Sequence, residues 1–542
     1  MTDNGKGLAA DSAPKRLVLA DPLLADGVDL LRSEPRLEVV DLADAARPEL
    51  KRALEGAAGL IVRSRTTVDG DLLAAADALE VIGRAGVGID NIDLEEATRR
   101  GIAVLNAPGA NTYSTAELAL GLLLAAVRNI PAADSSIREG RWDRKGLNGS
   151  QLYGKRIGII GAGRIGSEVI RRARAFGMEV LVHDPYLTAE RANELGLDPS
   201  DLEHVLATAD VITLHVPLTD RTRQMISSAQ LALMREGSYL VNAARGGLVD
   251  EAALADALRD GHLAGAALDV FEIEPLTEDS PLRDVPNLVL TPHLGASTVE
   301  AQREVSREIA IAVRDALVSA DYQKALNAPF AGADDQARIE PVLELGRRIG
   351  RLASELSRGR CARLDIRYGG PVDTVLRPLA AAVLEGYLRS TVAYPLNLVN
   401  ALSVAAERGI EVGRTRISDH GDYANFVEVT VHGGSEQTVV GGALLGERQH
   451  PRIVRVGDFH VDTVPKGVLL LVHNKDVPGV IGEVGMALGR AGINIAEYHQ
   501  SRRGAGGAAL GVITIDGEPS AAVLEEIRGF PAVEEVRQVV FD

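Results

Sequence analysis

The stretch Gly161-Ala162-Gly163-Arg164-Ile165-Gly166 constrains this chain more than any other. It follows an apolar run, Arg156–Ile160, and opens a helical pattern. Glycines at these three places allow a tight turn, a close backbone approach to a bound group, and close packing of helix on strand. The next apolar run ends at Asp184. A phosphate-bearing ligand at the start of the helix meets free N–H groups and the positive end of the helix dipole. An acidic residue at Asp184 accepts from ribose hydroxyls and repels a 2′-phosphate. The expected cofactor is therefore NAD, not NADP.

The segments around this motif alternate strand and helix. Apolar runs at Leu17–Ala20, Leu37–Val40, Leu60–Val62, Val81–Ile82 and Ile102–Leu105 predict a parallel sheet with helices on both faces. A helix is expected over Thr112–Asn129. Six further runs predict a Rossmann-type second sheet: 156–160, 179–183, 211–215, 238–242, 265–269 and 287–291. A long helix over Val299–Ser319 can return the chain to the first unit. Asn327 to Asp335 reads as a linker, and Arg338 to Pro465 mixes helix and strand signals without a motif. The final segment reads β-α-β-β-α-β, a ferredoxin-like order. The fold expected is α/β: a nucleotide domain (112–296) inserted in a flavodoxin-like domain (14–111 and 297–328), followed by an α+β domain (336–465) and a ferredoxin-like domain (467–542).

Composition narrows the function. The formal net charge of −18 argues against nucleic acid or anionic membrane as a partner. The single cysteine, Cys361, excludes an intrachain disulfide and a cysteine-rich metal site; no metal is expected, and a reducing cytoplasm suits the chain. Met1–Ala13 lacks the basic and apolar regions of a signal peptide and reads as a short disordered tail. The longest apolar run, Leu118–Val127, is too short to cross a membrane.

Three polar residues lie at strand ends or in loops of the second sheet: Arg245, Glu274 and His293. A guanidinium can grip a carboxylate with two hydrogen bonds. A histidine can take a hydroxyl proton as hydride leaves the same carbon. A glutamate on the second ring nitrogen orients the ring and stabilises its cation. Taken singly, each also has a structural reading: a surface loop arginine, a solvated turn glutamate, a satisfied histidine. In the first unit, Arg63, Ser64 and Arg65 follow one strand, and Arg84, Gly86 and Val87 follow another. With Asn106 they are candidates for binding a phosphorylated acid, and the backbone N–H groups near Gly86 and Gly88 favour an anion.

The motifs GAGRIG, HVPLT (215–219), NAARGG, LDVFEIEP and TPHLGAST resemble those of the D-isomer-specific 2-hydroxyacid dehydrogenases. The resemblance covers about Arg16 to Leu326. It implies that Arg245, Glu274 and His293 are the substrate arginine and the acid/base pair. It also implies a cofactor site of Gly161, Gly163, Arg164, Ile165, Gly166, Asp184, His215, Pro217, Ala243, Ala244, Arg245, Asp269, His293 and Gly295. The first unit resembles the phosphoglycerate-oxidising branch of that family, which implies 3-phosphoglycerate as substrate. In that branch the loop carrying Arg144 can reach a partner subunit, and a homodimer or homotetramer is expected. Residues 338–465 resemble that branch's intervening domain, where His460 belongs either to an anion site or to the framework. Gly467–Asp542 resembles an ACT domain, which implies L-serine as effector at Asn474, Asp476 and Asn494. Reduction of 2-oxoglutarate can coexist with this activity. A glyoxylate or hydroxypyruvate reductase and a dinucleotide-sensing corepressor are the alternatives.

Overall fold

The computed structural model describes residues 13–43, 45–330, 336–392, 395–418, 423–433 and 436–541. Most of the expected tail and part of the expected linker lie outside them. Strands β1 (Lys15–Leu19), β2 (Leu37–Asp41), β3 (Gly59–Val62), β4 (Val81–Arg84) and β5 (Ala103–Asn106) form a parallel sheet of order β2-β1-β3-β4-β5. Strands β3 and β5 are buried along their length, as helix cover on both faces requires. The helix Val299–Ser319 supplies part of that cover. Its Ile309 and Val313 share a core with Leu17, Ile61 and Val81.

Strands β6 (Arg156–Ile160), β7 (Glu179–His183), β8 (Val211–Leu214), β9 (Ser238–Asn242), β10 (Leu263–Leu268) and β11 (Leu288–Leu290) form a second parallel sheet, ordered β11-β10-β9-β8-β6-β7. The winding direction reverses between β6 and β8. A crevice opens at their carboxyl ends, where such sheets bind ligands. The expected helix over Thr112–Asn129 is present, and a second, unexpected helix follows it. One helix spans Thr112–Val127, Asn129 adopts φ 52°, and a second spans Ile130–Arg138 at 63° to the first. Pro131 in the first turn suits a helix start, because its missing N–H would have no intrahelical partner there. No single helix among the described residues is long and apolar enough to cross a membrane. The bent pair reaches that length only in combination, and Ala119, Leu120, Leu122 and Leu123 of its first member lie in the core of the second sheet.

The motif-free segment forms a third sheet. Its strands are β12 (Cys361–Gly369), β13 (Glu411–Arg416), β14 (Phe426–Gly433), β15 (Glu436–Leu445), β16 (His450–Val456) and β17 (Phe459–Thr463), in the order β13-β12-β14-β15-β16-β17. All neighbours are antiparallel except β12 and β13. Helices Gln336–Leu356 and Leu376–Leu388 share its core.

A fourth, antiparallel sheet follows: β18 (Gly467–Lys475), β19 (Ile495–Arg502), β20 (Ala508–Ile515) and β21 (Val533–Phe541), ordered β19-β20-β18-β21. Helices Val480–Arg490 and Ala521–Arg528 complete the expected β-α-β-β-α-β order. Alternation along β18 sends residues to two different cores. Leu470 and Val472 pack under these helices, whereas Leu469 and Leu471 join the core of the third sheet. The third and fourth sheets therefore share one apolar interior. Leu471→Ala should destabilise this half of the chain by about 2–5 kcal/mol. Chemical denaturation should then show both sheets melting together at lower denaturant.

Candidate active site

At the end of β6 the chain turns through Gly161, with φ 97°. A β-carbon there would fall 2.6 Å from the His215 carbonyl oxygen, and one at Gly166 would fall 2.0 Å from the Gly161 oxygen. Side chains are thus excluded at both places, while the space over Gly163 is open. The helix Arg164–Ala175 begins here without a side-chain cap, leaving its first N–H groups for an anion. Asp184 stands beside the turn. One of its carboxylate oxygens accepts from the Ala162 N–H at 2.8 Å and the other from the Tyr186 N–H at 2.9 Å. The His215 ring is enclosed, with Nε2 3.0 Å from Thr213 Oγ1 and Nδ1 without a partner among the described residues. Burial pushes its pKa down to about 4, so the ring is neutral. The open cradle, the uncapped helix start and the orphaned ring nitrogen fit a dinucleotide. Beyond β8, Pro217 is exposed at the rim.

The turn after β9 is shaped by Asn242. Its side chain accepts from the Ala244 N–H at 3.0 Å and donates to the Arg245 carbonyl at 2.8 Å. Ala243 is buried, and the Ala244 carbonyl accepts from Arg245 Nη1 at 2.7 Å. Arg245 crosses to the first unit, where its Nε lies 3.3 Å from an oxygen of Asp90.

His293 and Glu274 meet as expected, with Nδ1 2.7 Å from Glu274 Oε2. An ionised carboxylate only accepts, so Nδ1 carries the hydrogen and, in the neutral ring, Nε2 is left as an acceptor. The other Glu274 oxygen accepts from the Phe271 N–H at 3.0 Å, and the Glu274–Pro275 peptide is cis. Burial raises the Glu274 carboxyl, but the His293 ring, the Phe271 N–H and the charge of Arg245 outweigh it. The carboxyl sits below its ordinary value. His293 itself has φ 54°, a left-handed conformation that costs a residue with a β-carbon about 1–2 kcal/mol.

Asp269 holds that strained turn. The sequence places it beside the cofactor; in the structure it is fully enclosed and both oxygens are engaged. They accept from Thr291 Oγ1 at 2.6 Å, the Leu294 N–H at 2.7 Å and the Gly295 N–H at 2.9 Å. The Gly295 carbonyl in turn accepts from Ser114 and Thr115 hydroxyls at 2.8 and 3.0 Å.

The first unit brings Arg63 and Arg84 toward Arg245. Arg84 is largely buried and its Nε has no partner among the described residues. Burial, and next the charge of Arg245, pull its pKa down to about 10; the charge of Arg63 adds to this, and Asp90 and Asp21 oppose it. The group remains cationic at neutral pH at an unfavourable potential, which an anion would relieve. Gly86 follows directly. With φ 151°, a β-carbon there would lie 1.4 Å from Arg84 Nη1. Arg63 is anchored through its backbone: its N–H donates to Asp21 at 2.5 Å, and its carbonyl accepts from Asn91 Nδ2 at 2.7 Å.

Three expectations change here. Arg65 lies in a separate depression of about 320 Å³ with Asp21, Arg47 and Thr67. Asn106 is buried and donates to the Val87 carbonyl at 2.6 Å, so it props the Gly86–Val87 loop from below. Arg144 sits on an exposed loop that the single chain does not bring to the arginine cluster. Ser64 is exposed at the rim. Sequence reasoning missed Asp21, Asp90, Asn91 and Asn242. The first and last carried a signal, since each is a polar residue at or just after the end of an apolar strand.

In the fourth sheet, Asp476 accepts from Arg502 Nη1 at 3.1 Å, and Asn494 donates to Asp516 at 2.7 Å. Asn494 is exposed and Asp476 half-buried. Asn474 instead turns inward: it is 1% exposed and accepts from Gln500 Nε2 at 3.3 Å.

The fold and this crevice define an NAD-dependent dehydrogenase of 2-hydroxy acids. Residues 120–295 match the NAD-binding domain of the D-isomer specific 2-hydroxyacid dehydrogenases, 338–457 the D-3-phosphoglycerate dehydrogenase intervening domain, and 468–532 the ACT domain. A D-3-phosphoglycerate dehydrogenase of Archaeoglobus fulgidus is 40% identical, with 94% of this chain and 97% of that one covered. One of Bacillus subtilis is 39% identical, covering 97% and 99%. A glyoxylate reductase structure from Paecilomyes thermophila is 31% identical with a TM-score of 0.54; the match covers 58% of this chain and 98% of that one. The chain belongs to the D-3-phosphoglycerate dehydrogenase family.

Replacing Asp269 by Ala leaves the buried Gly295 N–H without its acceptor, at a cost of about 1–3 kcal/mol. The Asp269→Ala protein should melt earlier and lose kcat more than NAD affinity, read by thermal unfolding and by initial rates at saturating NAD.

Proposed function

We propose that this protein oxidises 3-phospho-D-glycerate to 3-phosphooxypyruvate with NAD, the entry to L-serine synthesis. The observation that carries the reading is the clustering of Arg63, Arg84 and Arg245, with Arg245 also acting on Glu274 of the His293–Glu274 pair. Arg245 grips the carboxylate and polarises the C2 oxygen. Arg63, Arg84 and the N–H groups around Gly86 receive the phosphate. His293 Nε2 takes the C2 hydroxyl proton, and Glu274 stabilises the resulting imidazolium. NAD, when bound, accepts the hydride from C2. Gly161, Gly163 and Gly166 give its pyrophosphate access to the helix start, and Asp184 holds the adenosine ribose.

The reading extends to control and to a second substrate. Serine binding near Asp476 and Asn494 regulates the enzyme. Its ammonium competes with Arg502 for Asp476, and its carboxylate takes the Asn494 amide. A 2-oxo acid with a distal carboxylate, 2-oxoglutarate, presents charges to the same arginines and is reduced in the reverse direction.

NADH formation with 3-phosphoglycerate tests the main reading. Turnover confined to glyoxylate or hydroxypyruvate overturns it. His293→Ala should lower kcat by about 10²–10⁴-fold while NAD affinity changes little; equal loss of both would count against the role of His293. Asp476→Ala should relieve serine inhibition at unchanged maximal rate, and persistence of full inhibition in that variant refutes the effector site.

A further inference from the structure

Gln302 lies in the first turn of the helix Val299–Ser319, four residues past its cap, Thr298. Its side-chain amide makes two bonds of opposite polarity. Oε1 accepts from Arg63 Nη2, a short contact, and Nε2 donates to the Ala296 carbonyl at 2.7 Å. Ala296 is three residues beyond His293, in the turn that Asp269 holds. One neutral side chain thus spans from the arginine of the first sheet to the histidine turn of the second.

We propose that Gln302 is a positioning residue that aims Arg63 at the substrate anion and keeps its guanidinium in register with the His293 turn. The inference rests on reading Arg63 as a substrate arginine. Neutrality is the essential property. A carboxylate in this place would orient Arg63 equally well but would discharge it, leaving less attraction for an anionic substrate. It would also set an oxygen against the Ala296 carbonyl, where the amide now donates. An amide satisfies both partners and leaves the positive charge of Arg63 uncompensated on that side. The Arg63 backbone is already held by Asp21 and Asn91, and without Gln302 the guanidinium keeps only a long 3.5 Å contact from Nη1 to the Pro22 carbonyl, so loss of Gln302 loosens the guanidinium end alone. The His293 turn keeps Asp269, Ser114 and Thr115. The effect therefore falls on substrate binding rather than on the chemical step.

The test is a double-mutant cycle on the full chain, reading kcat and both KM values in the oxidation of 3-phosphoglycerate. Gln302→Ala should raise KM for 3-phosphoglycerate about tenfold, the scale of one hydrogen bond to a charged group. Neither kcat nor KM for NAD should change more than about twofold. Gln302→Glu, which preserves shape, should raise it further, and it maintains the test if the alanine variant fails to fold. In an Arg63→Ala background, Gln302→Ala should add nothing. Additive effects, or parallel losses in kcat and NAD affinity, overturn the proposal in favour of a helix-stabilising role. If Arg63→Ala alone leaves KM unchanged, the substrate reading of Arg63 fails; if it raises KM and Gln302→Ala does not, only the positioning role fails.

Discussion

Three guanidinium groups in one crevice repel each other, and much of the surrounding structure compensates for that repulsion. Arg84 cannot relieve it by moving into water, because it is enclosed against Gly86. Asp90 offsets part of the charge from one side and Asp21 from the other. Asp21 spends its oxygens on N–H and hydroxyl donors of the Arg63–Thr66 turn, so it fixes the turn while keeping its negative charge buried nearby. The protein as a whole carries −18, yet the crevice presents cations to a small anion. The overall charge repels large polyanions, and a substrate small enough to enter the crevice meets the local field instead.

The two parallel sheets were legible because their signals are local. A buried strand reads as an apolar run, as β18 and β20 of the fourth sheet also do because both their faces are covered, and the Gly161–Gly166 turn has steric requirements that only glycine meets. The third sheet was not legible. Its β12 pairs on one side with β13, some fifty positions further along, and on the other with β14, and neither pairing leaves a short-range pattern. The helix Ile130–Arg138 was missed because it starts straight after the expected one, with only the left-handed Asn129 marking the break.

The site was legible in residue type more than in direction. Arg245, Glu274 and His293 could be read because their chemistry is cooperative and each follows a strand or its loop. Asn106, Asp269 and Asn474 also lie at strand ends, but a one-residue change in phase turns a side chain from crevice to interior. All three point inward and act on neighbouring backbone or side chains. Gln302 had no sequence signal at all. Its partners lie in a loop more than two hundred positions earlier and in a turn just before its own helix, and only the returning chain unites them.

The fourth sheet is tied to the rest of the chain through its packing. Its two faces bury against different partners: one under its own helices, the other in the interior of the third sheet. At the ends of its strands, Asp476 is held by Arg502 and Asn494 by Asp516. Strand β18 and the third sheet are packed together through Leu469 and Leu471, so neither can shift independently of the other. The third sheet's helical layer in turn touches the first unit, where Asn397 donates to the Gly101 carbonyl at 2.8 Å just before β5. Strand β5 ends at Asn106, which holds the Val87 carbonyl of the substrate loop. Contiguous packed elements therefore join the fourth sheet to the arginine crevice within one chain.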